Sequence, residues 1–130
     1  MTQTLDQKRA ALAWQYATAG MAQHGKEYKG LAKGAPALIM NSGLMPTLAF
    51  YSGKDKSKAA QQLLDDLICA LSQRLAGQAL KTGQGALLFP KFMEALQKSE
   101  SSEYLRYTDE ALELLKWIRQ FVDAVETGGK

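Results

Sequence analysis

Few side chains in this sequence could do chemistry of their own. His24 and Cys69 are the single histidine and the single cysteine of the 130 residues, so neither has a second such residue to complete a metal site. Asp65 and Asp66 are paired carboxylates, but adjacent helical side chains diverge by about 100° and cannot easily hold one ion. We therefore expect His24 to interact with a helix end, Cys69 to pack inertly, and the two aspartates to form a solvated acidic face.

The segment Gly83-Gln84-Gly85 is the remaining candidate for ligand binding. It lacks the other glycines and the Gly-Lys-Ser/Thr ending of a phosphate-binding loop, and no strand is predicted before it. We interpret this segment as a turn. Because the sequence offers no base, nucleophile or metal cluster, the chain is predicted not to be an enzyme, with no catalytic residues, no metal site and no cofactor.

Basic residues are more informative, because they concentrate in the first part of the chain. Residues 1–58 contain eight Lys/Arg against three Asp/Glu, whereas the remainder contains eight against ten. Such cations could contact phosphate, and the nearby aromatic residues Tyr28 and Trp14 could stack on bases. Alternatively, these two aromatic residues pack in the core and the lysines merely solvate a surface. The candidate nucleic-acid-binding residues are Lys8, Arg9, Lys26, Lys29, Lys33, Lys54, Lys56 and Lys58.

The composition predicts the all-α class for the elements that position these residues. The chain has 19 Leu and 19 Ala against two Val and three Ile, a strong excess of helix formers over β-branched residues. We predict one helical domain over residues 1–130, a compact bundle of about five to seven helices, with long helices near 5–24, 57–75 and 103–126. The sequence has neither an apolar run of 18 residues nor a signal-peptide layout, which favours the cytoplasm and predicts no membrane partner.

Capping, proline and glycine signals divide the chain between these helices. Thr4 and Gln7 form a capping box at the start of the first helix. The segment 27–41 predicts a helix that is broken or kinked at Pro36, and 44–51 predicts a short apolar helix. Glycines between residues 77 and 85 indicate a flexible connection, after which Pro90 begins a further short helix.

The last predicted helix has a broad apolar face. In addition to one apolar stripe at helical spacing, it carries a second row that contains three aromatic residues. Exposed aromatic rows of that size are uncommon in monomers, so this helix is expected to be central in the bundle or partly in an interface. The candidate partner-interface residues are Tyr107, Trp117 and Phe121.

Three segments together resemble a known family. They are 4–10 (TLDQKRA), 36–51 (PALIMNSGLMPTLAFY) and 103–121 (EYLRYTDEALELLKWIRQF). They are similar to segments of the small helical subunit, the fifth subunit of the Cmr complex, in type III-B CRISPR effector complexes. The sequence departs from the family pattern at Met45-Pro46 and at Leu105, and 53–99 matches loosely.

The resemblance implies a non-catalytic structural subunit of an RNA-guided complex that acts in antiviral defence. Copies of such a subunit stack on one another and on neighbouring Cmr subunits, and they support the duplex of guide RNA and target RNA in a cytoplasmic ribonucleoprotein. Cutting of RNA then belongs to other subunits. The alternative is a helical protein–protein adaptor that does not contact nucleic acid, and a stand-alone nuclease is the least favoured interpretation.

Overall fold

Seven α-helices make up the part of the chain that the structure describes, residues 2–128. The computed structural model contains no β-strand within these residues, which confirms the predicted all-α class. None of the described helices is both long and apolar enough to cross a membrane. The helices are α1 (Leu5–His24), α2 (Lys26–Ser42), α3 (Leu44–Gly53), α4 (Lys58–Leu75), α5 (Gln84–Leu87), α6 (Phe89–Lys98) and α7 (Ser101–Gly128).

Local capping interactions set several helix boundaries where the sequence predicts them. At the start of α1, the Gln7 N–H donates to the Thr4 hydroxyl at 3.1 Å, and the Thr4 N–H donates to the Gln7 side chain at 2.7 Å. Gly25 ends α1 with a φ of 55°, a conformation that residues with a Cβ rarely adopt. Ser57 caps α4 by accepting from the Ala60 N–H at 3.1 Å. The three long helices predicted from the sequence are confirmed.

α2 is continuous across Pro36, so a break, one of the two predicted alternatives of a broken or kinked helix, is wrong. Proline deletes one backbone donor and crowds the preceding turn, which weakens a helix locally. Here Ala32 and Ala35 before the proline ring, and Ile39 after it, are all buried in the core. Tertiary packing of the two halves offsets the lost hydrogen bond.

α4 is the centre of the bundle. The helices α1, α2, α3, α5 and α7 all pack against it, and every residue from Leu63 to Ser72 is buried. A helix covered on all sides has no solvated face, whatever its sequence pattern suggests. The prediction that Asp65 and Asp66 form a solvated acidic face is therefore wrong.

Both buried aspartates are satisfied by specific hydrogen bonds. Asp65 accepts from the Gly83 N–H at 2.9 Å and from the Ala86 N–H at 2.8 Å. Asp66 lies on the other side of α4, where the Tyr28 hydroxyl and the Gln62 amide donate to its two oxygens at 2.6 and 2.8 Å. Burial of these carboxylates is tolerated because each oxygen has a donor.

The glycine-containing connection between α4 and α6 is more ordered than a simple turn. It includes the short helix α5, and Gly85 in that helix is buried against α4. A Cβ at position 85 would lie 2.7 Å from the Asp65 carbonyl oxygen, so the close approach requires glycine.

Candidate nucleic-acid interface

Arg9, one of the predicted phosphate-binding residues, is held inside the protein by an acidic partner. Its Nε and Nη2 donate to the Glu110 carboxylate at 2.9 and 2.8 Å, and Arg74 Nε lies 3.5 Å from the same carboxylate. Glu110 is 5% exposed. The hydrogen bond from Arg9 is the main reason that the pKa of Glu110 lies below its ordinary value. Arg9 therefore ties α1 to α7, and this geometry argues against a phosphate contact.

Lys29 and Lys33 also have an acidic partner, across the surface between α2 and α7. Lys33 Nζ donates to both Asp123 carboxylate oxygens at 2.9 Å, and Lys29 Nζ lies 3.3 Å from Asp123. The lysines, chiefly through the Lys33 hydrogen bond, lower the pKa of Asp123. Part of the positive charge predicted for this face is thus neutralised.

Four of the predicted cations are collected at one end of the bundle, where α2 and α4 begin and α3 ends. None of these four exposed lysines has an acidic partner among the side chains that the structure describes, although Asp55 shares their loop. We call this surface the basic end, and it consists of Lys26, Lys54, Lys56 and Lys58.

Two side chains fix the basic end in place. The Ser57 hydroxyl donates to Glu27 at 2.5 Å, which joins the loop before α4 to the first turn of α2. The Gln61 amide donates to the carbonyl oxygens of Tyr51 and Lys54 at 2.9 and 3.1 Å, which satisfies the C-terminal turn of α3. The backbone that carries these lysines is consequently held before any ligand arrives.

Lys8 lies apart from the basic end. It is exposed near the start of α1, beside Gln73 and Arg74 in the last turn of α4. Since α1 rises about 1.5 Å per residue, Lys8 is about 24 Å along the helix from His24, which adjoins the basic end. The eight predicted cations thus lie in four places, with Arg9 at Glu110, Lys29 and Lys33 at Asp123, four lysines at the basic end and Lys8 by itself, and they do not form one surface.

The two aromatic residues considered with these cations have different environments. Tyr28 is fully buried and hydrogen-bonded to Asp66, so its role is packing. Trp14 is 49% exposed, and its ring meets the Phe121 ring edge to face at 5.2 Å between centroids. A large aromatic side chain left half exposed on this surface suits contact with another molecule.

The predicted partner-interface residues fall in two places. Trp117 and Phe121 are half-buried with ring centroids 5.8 Å apart, and with Trp14 they form a continuous surface that we call the aromatic face. Tyr107 lies elsewhere on α7. It meets Phe92 at 5.9 Å and lines a groove of about 410 Å³ between α4, α6 and α7.

The sequence-based predictions for His24 and Cys69 agree with their environments. His24 is in the last turn of α1. Cys69 is 6% exposed, and burial is the first of several causes that raise the pKa of its thiol to about 11, which favours the protonated thiol at neutral pH. Within the described part of the chain, no three His, Cys, Asp or Glu side chains are grouped so that they could hold a metal ion.

Comparison with known proteins identifies the family. The model of the family described as CRISPR-associated protein (Cas_Cmr5) matches residues 5–125. The chain belongs to the Cmr5 family. Membership confirms the resemblance carried by the three segments, and it supports assignment to the type III-B Cmr complex.

A solved structure shows the same fold. A CRISPR-associated Cmr5 family protein from Thermus thermophilus is similar with a TM-score of 0.72 and 26% sequence identity, and the match covers 95% of this chain and 98% of that one. Comparison with curated proteins finds no match. The likeness between the two structures extends over nearly the whole of both chains.

Two exposed aromatic residues of this Cmr5-family chain were not among the sequence-predicted interface residues. Trp14 extends the aromatic face from α7 onto α1. Phe50 is 51% exposed near the end of α3, and Lys54 Nζ lies 5.0 Å from its ring centroid. The spacing of Phe50 and Lys54, four residues apart, was the sequence signal for this pair, since such residues are neighbours on a helix.

Proposed function

We propose that this protein is a non-catalytic structural subunit of a type III-B Cmr complex that contacts the backbone of the guide–target RNA duplex through its basic end. The observation that carries the proposal is the convergence of Lys26, Lys54, Lys56 and Lys58 on backbone held by Ser57 and Gln61. Family membership supports the assignment to a Cmr complex. The basic end supports the proposed contact with RNA.

Contacts of this kind are sequence-independent and sensitive to salt. Each phosphate that a lysine neutralises releases a condensed counterion, so affinity falls as the salt concentration rises. One copy contributes few such contacts, but copies stacked along one RNA gain from multivalency. The choice of sequence is left to base pairing between guide and target.

The aromatic face supports a second proposed role in the same complex. Through this face, the protein would contact neighbouring subunits or another copy of itself. Trp14, Trp117 and Phe121 form its surface on α1 and α7. The Trp117 indole N–H is buried and has no acceptor among the described residues, so an acceptor from a partner would satisfy it. If this face were the whole of the function, the protein would be an adaptor that never touches RNA.

The test compares two variants that lose the same charge. In the first, Lys26, Lys54, Lys56 and Lys58 are all replaced by glutamine; in the control, the exposed or partly exposed residues Lys81, Lys91, Lys98 and Lys116 are replaced. Binding of an RNA duplex is measured over a range of salt concentrations. The first variant should show a flatter plot of log affinity against log salt, by about 0.9 for each phosphate that the protein no longer neutralises, and the control should keep the wild-type slope.

Equal slopes for the two variants would reject the basic end as an RNA-binding surface. If the first variant co-purified with the other Cmr subunits and kept the wild-type slope of log affinity against log salt, the result would favour the alternative of a protein–protein adaptor that does not contact RNA.

A further inference from the structure

Phe50 is an exposed aromatic ring beside a group of lysines. It is near the C-terminal end of α3, half of its surface is exposed, and Lys54 Nζ lies over its ring at 5.0 Å from the centroid. A cation over an aromatic face is a weak attraction at an exposed site. Since Lys54 is also exposed and has a flexible stem, its ammonium can leave the ring when another flat group takes its place.

We propose that Phe50 stacks against an unpaired RNA base while Lys54 and Lys56 bind the flanking phosphates. This inference rests on the proposed function of the basic end, and it adds an unpaired base to the duplex backbone as a target of this surface. Aromatic platforms set in basic surfaces bind single strands in this way, because every base has a π-face and every nucleotide a phosphate.

Surrounding charge favours RNA over a protein partner at this position. Phe50 borders the basic end, where four lysines have no acidic partner among the described side chains. The other large exposed aromatic residue, Trp14, instead packs against Phe121 in a continuous aromatic face, as expected for a protein contact. A single exposed ring with Lys54 over it has little apolar area to offer a protein but one face to offer a base.

The backbone that carries Phe50 is held in position by its neighbours. Tyr51, the next residue, is fully buried, and its ring lies 5.8 Å from that of Phe50. Gln61 fixes the carbonyl oxygens of Tyr51 and Lys54 from α4. The backbone beneath the ring is therefore ordered in the free protein, which limits the conformational entropy lost when a base binds.

Geometry also predicts selectivity for unpaired bases. In a duplex, both faces of each base are covered by its neighbours, so a protein ring can stack on a base only where the base is unpaired or at a strand end. Loss of the ring should then weaken binding of single strands and leave the duplex backbone contact unchanged. The lysines of the basic end should contribute to the binding of single strands and of duplexes.

The experiment uses the full chain at low ionic strength with two RNAs of equal phosphate number, one a single strand carrying 2-aminopurine and one a fully paired duplex whose two ends are closed by non-nucleotide linkers. Phe50→Leu keeps an apolar side chain and removes the π-face, whereas Phe50→Tyr keeps the ring. We expect Phe50→Leu to lose about 5- to 150-fold in single-strand affinity, together with the quenching of 2-aminopurine fluorescence, and to bind the duplex as the wild type does. Phe50→Tyr should retain the single-strand affinity and the quenching of 2-aminopurine fluorescence.

The control and the contradicting results separate this proposal from the one on which it rests. Leu105→Ala, at an exposed apolar position on α7, should change neither affinity. Unchanged single-strand affinity in Phe50→Leu, or an equal loss on both RNAs, would overturn stacking by Phe50 and leave the basic end as a backbone contact. If the glutamine variant of the four lysines bound both RNAs as the wild type does, the basic end and the stacking proposal would both fail.

Discussion

Asp66 is a buried carboxyl whose protonation affects the stability of the bundle. It is 2% exposed, and burial is the largest cause that raises its pKa to about 7, against the opposing hydrogen bonds from Tyr28 and Gln62. Nearby Asp65 raises the pKa further. In the unfolded chain the carboxyl has its ordinary pKa of 3.8. The folded state therefore holds the proton more tightly, and the contribution of Asp66 to stability falls as the pH rises from about 4 to about 7.

We predict that Asp66→Asn removes this part of the pH dependence. Because asparagine carries no charge to desolvate, the stability of the variant relative to wild type should improve across that range, by at most about 4 kcal/mol at neutral pH. Urea unfolding at several pH values measures the difference. Asp109→Asn, at an exposed position on α7, is the control and should follow the wild-type profile. A constant difference between Asp66→Asn and wild type at all pH values would show that Asp66 does not titrate in this range.

At the scale of the helices, the contact between α1 and α2 depends on a glycine. Gly20 is buried in α1, and a Cβ at this position would lie 2.5 Å from a carbon of the Tyr28 ring. The ring cannot move freely, because its hydroxyl is hydrogen-bonded to Asp66 inside the core. Gly20→Ala would therefore push α1 and α2 apart or break that hydrogen bond.

We predict that Gly20→Ala lowers the free energy of unfolding by about 1–3 kcal/mol, as expected for overpacking a well-packed core. The matched control is Gly30→Ala on α2, where the added Cβ would meet no heavy atom within 4 Å apart from the surrounding backbone of its own helix and its chain neighbours. At this exposed helical position alanine should raise stability by about 0.5–1 kcal/mol. Denaturant unfolding of both variants checks the prediction. Changes of the same sign would mean that the Tyr28 contact does not control the packing of these helices.

The helices themselves could be predicted from the sequence because their signals are local. The capping box at Thr4, the glycine after His24 and the apolar spacing of 103–126 involve residues within a few turns of one another. What could not be predicted depends on partners far along the chain. Asp65 is buried because α5 covers it, and α2 stays continuous at Pro36 because core packing supports both halves.

The candidate interface was partly predictable for the same reason. The basic character of residues 1–58 is a property of the composition, and the lysines of the basic end belong to that set. However, Arg9 meets Glu110 across 101 residues, and Lys33 meets Asp123 across 90, so no local pattern shows that these cations are already paired. Trp14 was missed as an interface residue because its ring contact with Phe121 joins the first helix to the last.

At the scale of the whole molecule, the two candidate surfaces belong to different helices. The aromatic face lies on the first and last helices, and the basic end lies at the start of α2 and α4. α1 and α7 pack along each other and are tied by Arg9 and Glu110, and this pair presents the aromatic face. Under the proposed function, surfaces made of different residues would let one subunit hold RNA and protein at the same time, as a stacked ribonucleoprotein would require.

Because the two surfaces share no residue, we predict that the two proposed functions can be removed independently. Trp14→Ala should weaken association with other Cmr subunits or with further copies by about 30-fold or more if Trp14 is a central contact, because truncation of a tryptophan anchor commonly costs about 2 kcal/mol or more. The salt dependence of RNA duplex binding should not change, since no lysine of the basic end is affected.

Leu87→Ala is the control, because Leu87 is highly exposed on α5 and lies outside the aromatic face. Co-purification of each variant measures its association with the other subunits, and RNA titration of the same samples measures RNA binding. Thermal unfolding checks that each variant is folded. If Trp14→Ala assembled normally but lost RNA, the aromatic face would be a nucleic-acid surface, and the division of roles between the two surfaces would be reversed.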